Sequence, residues 1–172
     1  DSLLTTSKTV NDDNPLLDCR IEGLEKKTPS LIILDRFLKI KKDAKIFNKI
    51  NRKIYIITSI NNKTKENFLK RKGVKILKLN FYKYKNSNLT KIFLIIKKLG
   101  FNRIFVESGG TLLNQMLGEK LIKNLYLFKS SKNLSSNGQN NSNLFNIKKI
   151  KLLKKDKVKV NLFEDNLYKV KL

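Results

Sequence analysis

Short apolar runs bounded by polar residues recur along this chain, with stretches of helical composition between them, and that alternation restricts the fold more than any other feature. Ser30 to Leu34 closes in Asp35-Arg36, and Lys53 to Ser59 reads Lys-Ile-Tyr-Ile-Ile-Thr-Ser. Runs of this length and continuity predict strands buried on both faces. Val74 to Leu79 interleaves lysine with apolar residues as a half-exposed strand does, and Ser2 to Thr6 and Arg103 to Glu107 add two more strands. Asn62 to Lys72 predicts a helix that stops at Gly73, and Leu89 to Leu99 one that stops at Gly100, because glycine readily takes the left-handed conformation that ends helices. A further helix runs from the Gly109-Gly110 turn to about Leu121. Strand and helix in alternation imply βαβ units, hence an α/β fold with a mostly parallel central sheet flanked by helices.

The tail differs. Leu125 to Phe128, Lys148 to Leu153, Val158 to Phe163 and Leu167 to Leu172 read as strands with no helix between them, which predicts antiparallel additions at the sheet edge. Glu164-Asp165-Asn166 suits a hairpin turn, and the Ser/Asn-rich segment 133–146 reads as a mobile surface loop. With 172 residues the whole is expected to be one domain, 1–172.

Composition removes several chemistries. The chain has no histidine and one cysteine, Cys19, so a Cys/His zinc site, a Ser-His-Asp triad and an internal disulfide are all excluded within it. Its longest apolar runs, such as Ile92 to Ile96, are too short to span a bilayer. Asp1-Ser2-Leu3-Leu4 does not resemble a signal peptide, and a cytoplasmic location is the expectation. The net charge of +24 is nearly all lysine, spread over almost every segment and accompanied by abundant Asn and Ile. That pattern suits compositional drift better than a dedicated nucleic-acid surface, so nucleic acid is expected to bind only nonspecifically, while phosphorylated ligands are attracted.

Two stretches carry candidate chemistry. Ser7 to Arg20 follows the first strand as a polar, hydroxyl- and carboxylate-rich segment, with Ser7 to Pro15 expected to be a loop. Open α/β sheets place ligands at such strand ends, although the same residues suit an ordinary turn. The second is Arg103 to Leu112, where Glu107 precedes Ser108-Gly109-Gly110-Thr111. Two glycines between strand and helix let backbone amides approach a phosphate, at the positive end of the helix dipole. A carboxylate at the strand end could accept ring N–H groups, or could be a solvated acid paired with a lysine.

Together these stretches resemble the reductase domain of the bifunctional riboflavin-biosynthesis deaminase/reductase, a relative of dihydrofolate reductase. The resemblance rests on Asp1-Ser2-Leu3-Leu4 leading to Thr9-Val10, on Asp13-Asn14-Pro15-Leu16-Leu17 with Arg20, on Ile32-Ile33-Leu34-Asp35, on Val106-Glu107 with Gly109-Gly110-Thr111-Leu112, and on Leu121 to Phe128. It implies a dihydrofolate-reductase-like fold and an NADPH-dependent reduction of 5-amino-6-(5-phosphoribosylamino)uracil, in which hydride reaches C1′ of the opened sugar and ribosyl becomes ribityl. By the same resemblance Thr9 and Asp13 border the nicotinamide, with Asp13 the candidate catalytic residue that relays a proton. Leu17 and Arg20 contact the substrate, Arg20 pairing with its phosphate, and Glu107 holds the pyrimidine. Gly109, Gly110, Thr111, Leu112, Leu113, Asn114 and Gln115 run under the cofactor pyrophosphate.

Arg36 stands where the family tends to have a small hydroxyl residue beside the cofactor, and it suits the 2′-phosphate of NADPH or crowds it. Ser108 replaces a frequent glycine. The resemblance further implies a deaminase domain ahead of this chain in the full-length protein, a first strand and helix of the reductase domain that this chain lacks, and copies that pair through sheet edges or extensions. A related reductase acting on another pterin or pyrimidine, and a basic nucleic-acid-binding module, are the competing readings.

Overall fold

The computed structural model describes residues 1–48, 52–80, 87–132, 149–150 and 152–172, and the chain divides into two compact units, 1–108 and 109–172. The first contains β1 (Ser2–Thr6), α1 (Ser7–Asp13), β2 (Ser30–Leu34), β3 (Ile54–Thr58), α2 (Lys63–Arg71), β4 (Val74–Lys78), α3 (Ser87–Lys98) and β5 (Ile104–Val106). Its five strands form one parallel sheet in the order β4-β3-β2-β1-β5. The expected strands and helices are thus present, with ends shifted by a residue or two.

Register explains the sequence pattern. Leu3, Leu31, Ile54 and Val74 stand side by side across β1 to β4, and Thr5, Ile33, Ile56 and Ile76 form the next row on the same face. Val10 of α1, Leu69 of α2 and the segment containing Leu38, Ile40, Ile46 and Phe47 close over that face. The opposite face carries Leu4, Ile32 and Tyr55; Tyr55 meets Phe101, just beyond α3, edge-on with ring centroids 5.8 Å apart. With helices on both faces, β2 and β3 must be apolar at nearly every position, and each fully buried Leu or Ile there contributes about 1.5–3 kcal/mol. The outer strands β4 and β5 are only half covered, and Phe105 is 58% exposed.

Ser7 to Asp13, read as part of a loop, is helical. Thr6 ends the strand in extended conformation and caps the helix, its Oγ1 accepting the Thr9 amide at 3.2 Å, and Asn14 closes it in the left-handed conformation (φ 44°) with its amide on the Val10 carbonyl. The polar residues that suggest a loop instead act as caps, as Ser, Thr and Asn do at helix ends. α2 is capped reciprocally: Asn62 Oδ1 accepts the Lys65 amide at 3.0 Å and the Glu66 carboxylate accepts the Asn62 amide at 2.9 Å.

The second unit holds α4 (Gly110–Gly118), β6 (Asn124–Lys129), β7 (Asp156–Val158) and β8 (Asn166–Lys171). The three strands are antiparallel, as expected, and form a sheet in the order β6-β8-β7. α4 ends earlier than Leu121. The strand expected over Lys148 to Leu153 is absent from its described residues: Lys149 and Ile150 are helical, and the amides of Leu152 and Leu153 bond the carbonyls of Lys149 and Ile150. A tight turn satisfies these groups locally, so no partner strand is required. The strand expected over Val158 to Phe163 lies instead at Asp156–Val158, and Leu162 to Asp165 turn into β8 with Phe163 at φ 56°. The segment 133–146 lies outside the described residues. Among those described, no helix is long and apolar enough to cross a membrane.

Candidate active site

The sheet order has a functional consequence. From β1 the chain steps outward through β2 and β3 to β4, then returns to place β5 on the other side of β1. α1, which follows β1, packs on one face, and Phe101, between α3 and β5, packs on the other. The strand order therefore reverses between β1 and β5, and in open α/β sheets the crevice outside the carboxyl ends at such a point is where ligands bind.

Three of the singled-out residues belong to these carboxyl ends. Thr9 lies in the first turn after β1, and its hydroxyl is 3.0 Å from that of Thr6. Arg36 is the second residue after β2. It is exposed, its guanidinium lies 5.1 Å from the Phe37 ring centre, and its carbonyl accepts the Ser59 amide and the hydroxyls of Thr58 and Ser59. Glu107 follows β5, exposed, with its amide on the Leu4 carbonyl at 2.9 Å. Asp13 shares a helix face with Thr9, four residues on.

Leu17 and Arg20 are carried elsewhere. α1 leads the chain roughly 10 Å away from the strand ends, and the following segment is fastened beside the starts of β2 and β3. Cys19 donates its amide to Thr28 Oγ1 at 3.2 Å, and Arg52 donates to the carbonyls of Leu16 and Leu17. α1 thus joins the end of β1, where Thr9 stands, to the segment that carries Leu17 and Arg20. Leu17 is buried in the core cluster with φ 54°, whereas the Arg20 side chain is 76% exposed and faces Asp18 at 3.4 Å, an ion pair worth little in water.

Five further residues, given no role by the sequence, shape this unit. Asp35, 2% exposed, accepts the Ser7 hydroxyl at 2.9 Å and the amides of Lys39 and Ile40, each at 2.8 Å. It ties the start of α1 to the turn after β2. Asn11 and Asn14 reinforce that tie through the backbone of Lys39, Lys41 and Lys45. Lys65 donates to the Leu38 carbonyl at 2.7 Å; burial lowers its pKa, opposed by the charge of Asp35. Burial likewise lowers the pKa of Arg52, opposed by Asp18. The sequence signal for Arg52 is its type, since in a chain whose cations are nearly all lysine a guanidinium fork marks a place where two acceptors must be held at once.

In the second unit, Gly109 to Gln115 form the start of α4. Gly109 caps the helix without a side-chain bond, no acid occupies the first turn, and the space where a Gly109 Cβ would stand is open. Uncapped amides at a helix start without competing negative charge fit a pyrophosphate group. Leu112 and Met116 are the buried residues of the helix. Among the described residues no cluster of acidic or cysteine side chains could hold a metal ion.

The sequence profile of the RibD C-terminal domain matches residues 1–160. The riboflavin biosynthesis protein RibD of Aquifex aeolicus is 33% identical over 127 residues, which cover 74% of this chain and 34% of that protein. Two crystal forms of Acinetobacter baumannii RibD match 99% of this chain and 46% of theirs, with 19% identity and TM-scores of 0.73 and 0.74. The Thermotoga maritima diaminohydroxyphosphoribosylaminopyrimidine deaminase/5-amino-6-(5-phosphoribosylamino)uracil reductase matches 99% of this chain and 44% of its own, at 17% identity and TM-score 0.71. At these identities the solved structures establish the dihydrofolate-reductase-like fold, and the match over residues 1–160 shows that the chain belongs to the RibD C-terminal domain family.

Proposed function

We propose that this chain is a reductase of riboflavin biosynthesis that uses NADPH to reduce 5-amino-6-(5-phosphoribosylamino)uracil to its ribitylamino product. The observation that carries the reading is the family match over residues 1–160, supported by the reversal of strand order beside Thr9 and Glu107. The cofactor supplies a hydride, so the protein's contribution is chiefly alignment and charge.

In the first unit, Thr9 borders the nicotinamide, and Asp13, on the same helix face, is the group proposed to relay the proton that accompanies hydride. Glu107 accepts the N–H groups of the pyrimidine. Arg36 offers a guanidinium to the 2′-phosphate, favouring NADPH over NADH. Leu17 shapes, and Arg20 presents, the segment that meets the substrate phosphate. In the second unit, the amides of Gly110, Thr111 and Leu112 offer donors to the pyrophosphate, with Gly109, Leu113, Asn114 and Gln115 completing that turn. Because the chain spans about a third of the Aquifex relative, the proposal includes a deaminase domain in the same polypeptide, working in the cytoplasm.

The test is oxidation of NADPH by the protein containing this chain, with the phosphoribosylamino pyrimidine as acceptor. Turnover that is faster with NADPH than with NADH, with the KM for the pyrimidine raised about tenfold or more by Glu107→Gln and the KM for NADPH unmoved, is the expected outcome. A folded protein that leaves NADPH untouched in the presence of this pyrimidine refutes it, and turnover of a pterin or an unphosphorylated pyrimidine instead identifies a different substrate.

A further inference from the structure

Arg52 lies ahead of β3, away from the strand ends, yet its guanidinium spends two donors on one short piece of backbone. Nη2 donates to the Leu16 carbonyl at 2.7 Å and Nη1 to the next carbonyl, that of Leu17. Between those carbonyls Leu17 adopts φ 54°, a left-handed conformation that costs a branched L-residue about 1 kcal/mol or more and must be held from outside. Burial of the Leu17 side chain holds it from within, and the Arg52 fork holds its backbone. The next residue, Asp18, supplies the charge that opposes the desolvation of Arg52, and the residue after it, Cys19, is fastened to Thr28. Residues 16 to 19 are thus tied down one after another, and the next residue is the exposed Arg20.

We propose that Arg52 is a positioning residue for the substrate-phosphate arm: by fixing the Leu16 and Leu17 carbonyls it sets where Arg20 is presented. This rests on the assignment of Arg20 to the substrate phosphate. A lysine at this position would place one ammonium between two acceptors without the fixed fork, so its hold is looser.

The clamp borders a cavity of about 140 Å³ that Asp18, Cys19, Thr28, Lys45 and Arg52 help to line, and Cys19 therefore serves as a built-in reporter of its state. The experiment compares wild type, Arg52→Lys and Arg52→Met in the protein containing this chain, with two readouts. One is the alkylation rate of Cys19, followed by peptide mass spectrometry; the other is steady-state kinetics with NADPH and the pyrimidine. In Arg52→Met, Cys19 labelling is expected to quicken and the KM for the pyrimidine to rise about tenfold, with kcat and the KM for NADPH unchanged and Arg52→Lys between the two. Should Arg52→Met fail to fold, Arg52→Lys carries the same comparison at smaller amplitude.

Unchanged Cys19 labelling in a folded variant overturns the clamp. Faster labelling with an unchanged KM overturns its role toward substrate. A wild type without turnover, whose Arg52 variants still label faster, refutes the proposed function and the substrate role together while leaving the clamp in place.

Discussion

Asp35 is the residue whose loss tests the structural account most severely. Its carboxylate is 2% exposed and accepts three hydrogen bonds, one from the Ser7 hydroxyl and two from the backbone amides of Lys39 and Ile40. Asp35→Ala leaves three donors without their acceptor, the Ile40 amide being fully buried. A bond to a charged acceptor is worth about 1.5–3 kcal/mol, and stranded buried donors cost about 1–3 kcal/mol each. These figures overlap rather than add, because the carboxylate's own desolvation is recovered when it is removed. The expected loss is therefore about 3–5 kcal/mol. Asp35→Asn keeps one oxygen for Ser7 and Lys39 and turns an amide donor toward the Ile40 N–H, so its loss is smaller, about 2 kcal/mol.

Urea unfolding followed by circular dichroism measures both, and at about 2–4 °C per kcal/mol for a chain of this size the alanine variant should also melt roughly 10 °C lower. A loss below about 1 kcal/mol for Asp35→Ala, at an unchanged m-value, would refute the claim that this carboxylate joins α1 to the turn after β2.

Two further outcomes follow from the same contacts. Asn14 sits at φ 44° and accepts the Lys45 amide at 2.9 Å; Asn14→Gly should cost about 1 kcal/mol through the lost bond, and Asn14→Ala about 2 kcal/mol because alanine also resists the left-handed backbone, a ranking that urea midpoints would reveal. Glu66 is held below the usual carboxylate range, first by its hydrogen bond to Lys78 and then by that from the Asn62 amide. Its stabilising contribution is present above the unfolded pKa of about 4.3 and disappears as pH falls through the lower folded value. Wild type should exceed Glu66→Gln by up to about 1 kcal/mol at about pH 7, and the gap should narrow as pH falls below the unfolded pKa; a gap that does not change with pH would rule the ion pair out.

The strand and helix alternation was legible in the residues because each element carries its own periodicity and punctuation. The strands Ser30 to Leu34 and Ile54 to Thr58 are apolar at every position but one end, and a parallel sheet covered on both faces demands that. Gly73 and Gly100 mark helix ends at φ 77° and 91°, a region only glycine enters freely. α1 was hidden for a local reason: Thr6 and Asn14 are good caps and equally good loop residues, and seven residues are too few for a periodicity to outweigh that. Leu152 and Leu153 misled for a related reason, since a short Lys/Leu run is apolar enough for a strand and settles as a turn when its amides find carbonyls three residues back.

Residue types were fixed by the chain itself: glycines before a helix, a carboxylate after β5, hydroxyls after β1, and no histidine. Tertiary structure decided which of them share a place. The return of β5 to the far side of β1 puts Glu107 beside the end of the strand that Thr9 follows, while α1 carries Arg20 away from both. It also decided the partners of Asp35 and Arg52, which apart from the Ser7 hydroxyl are backbone amides and carbonyls. Every residue but proline carries the same two backbone groups, so nothing in the identity of Leu16 or Ile40 announces that its carbonyl or amide will be taken; only the folded path of the chain brings the side chain to it.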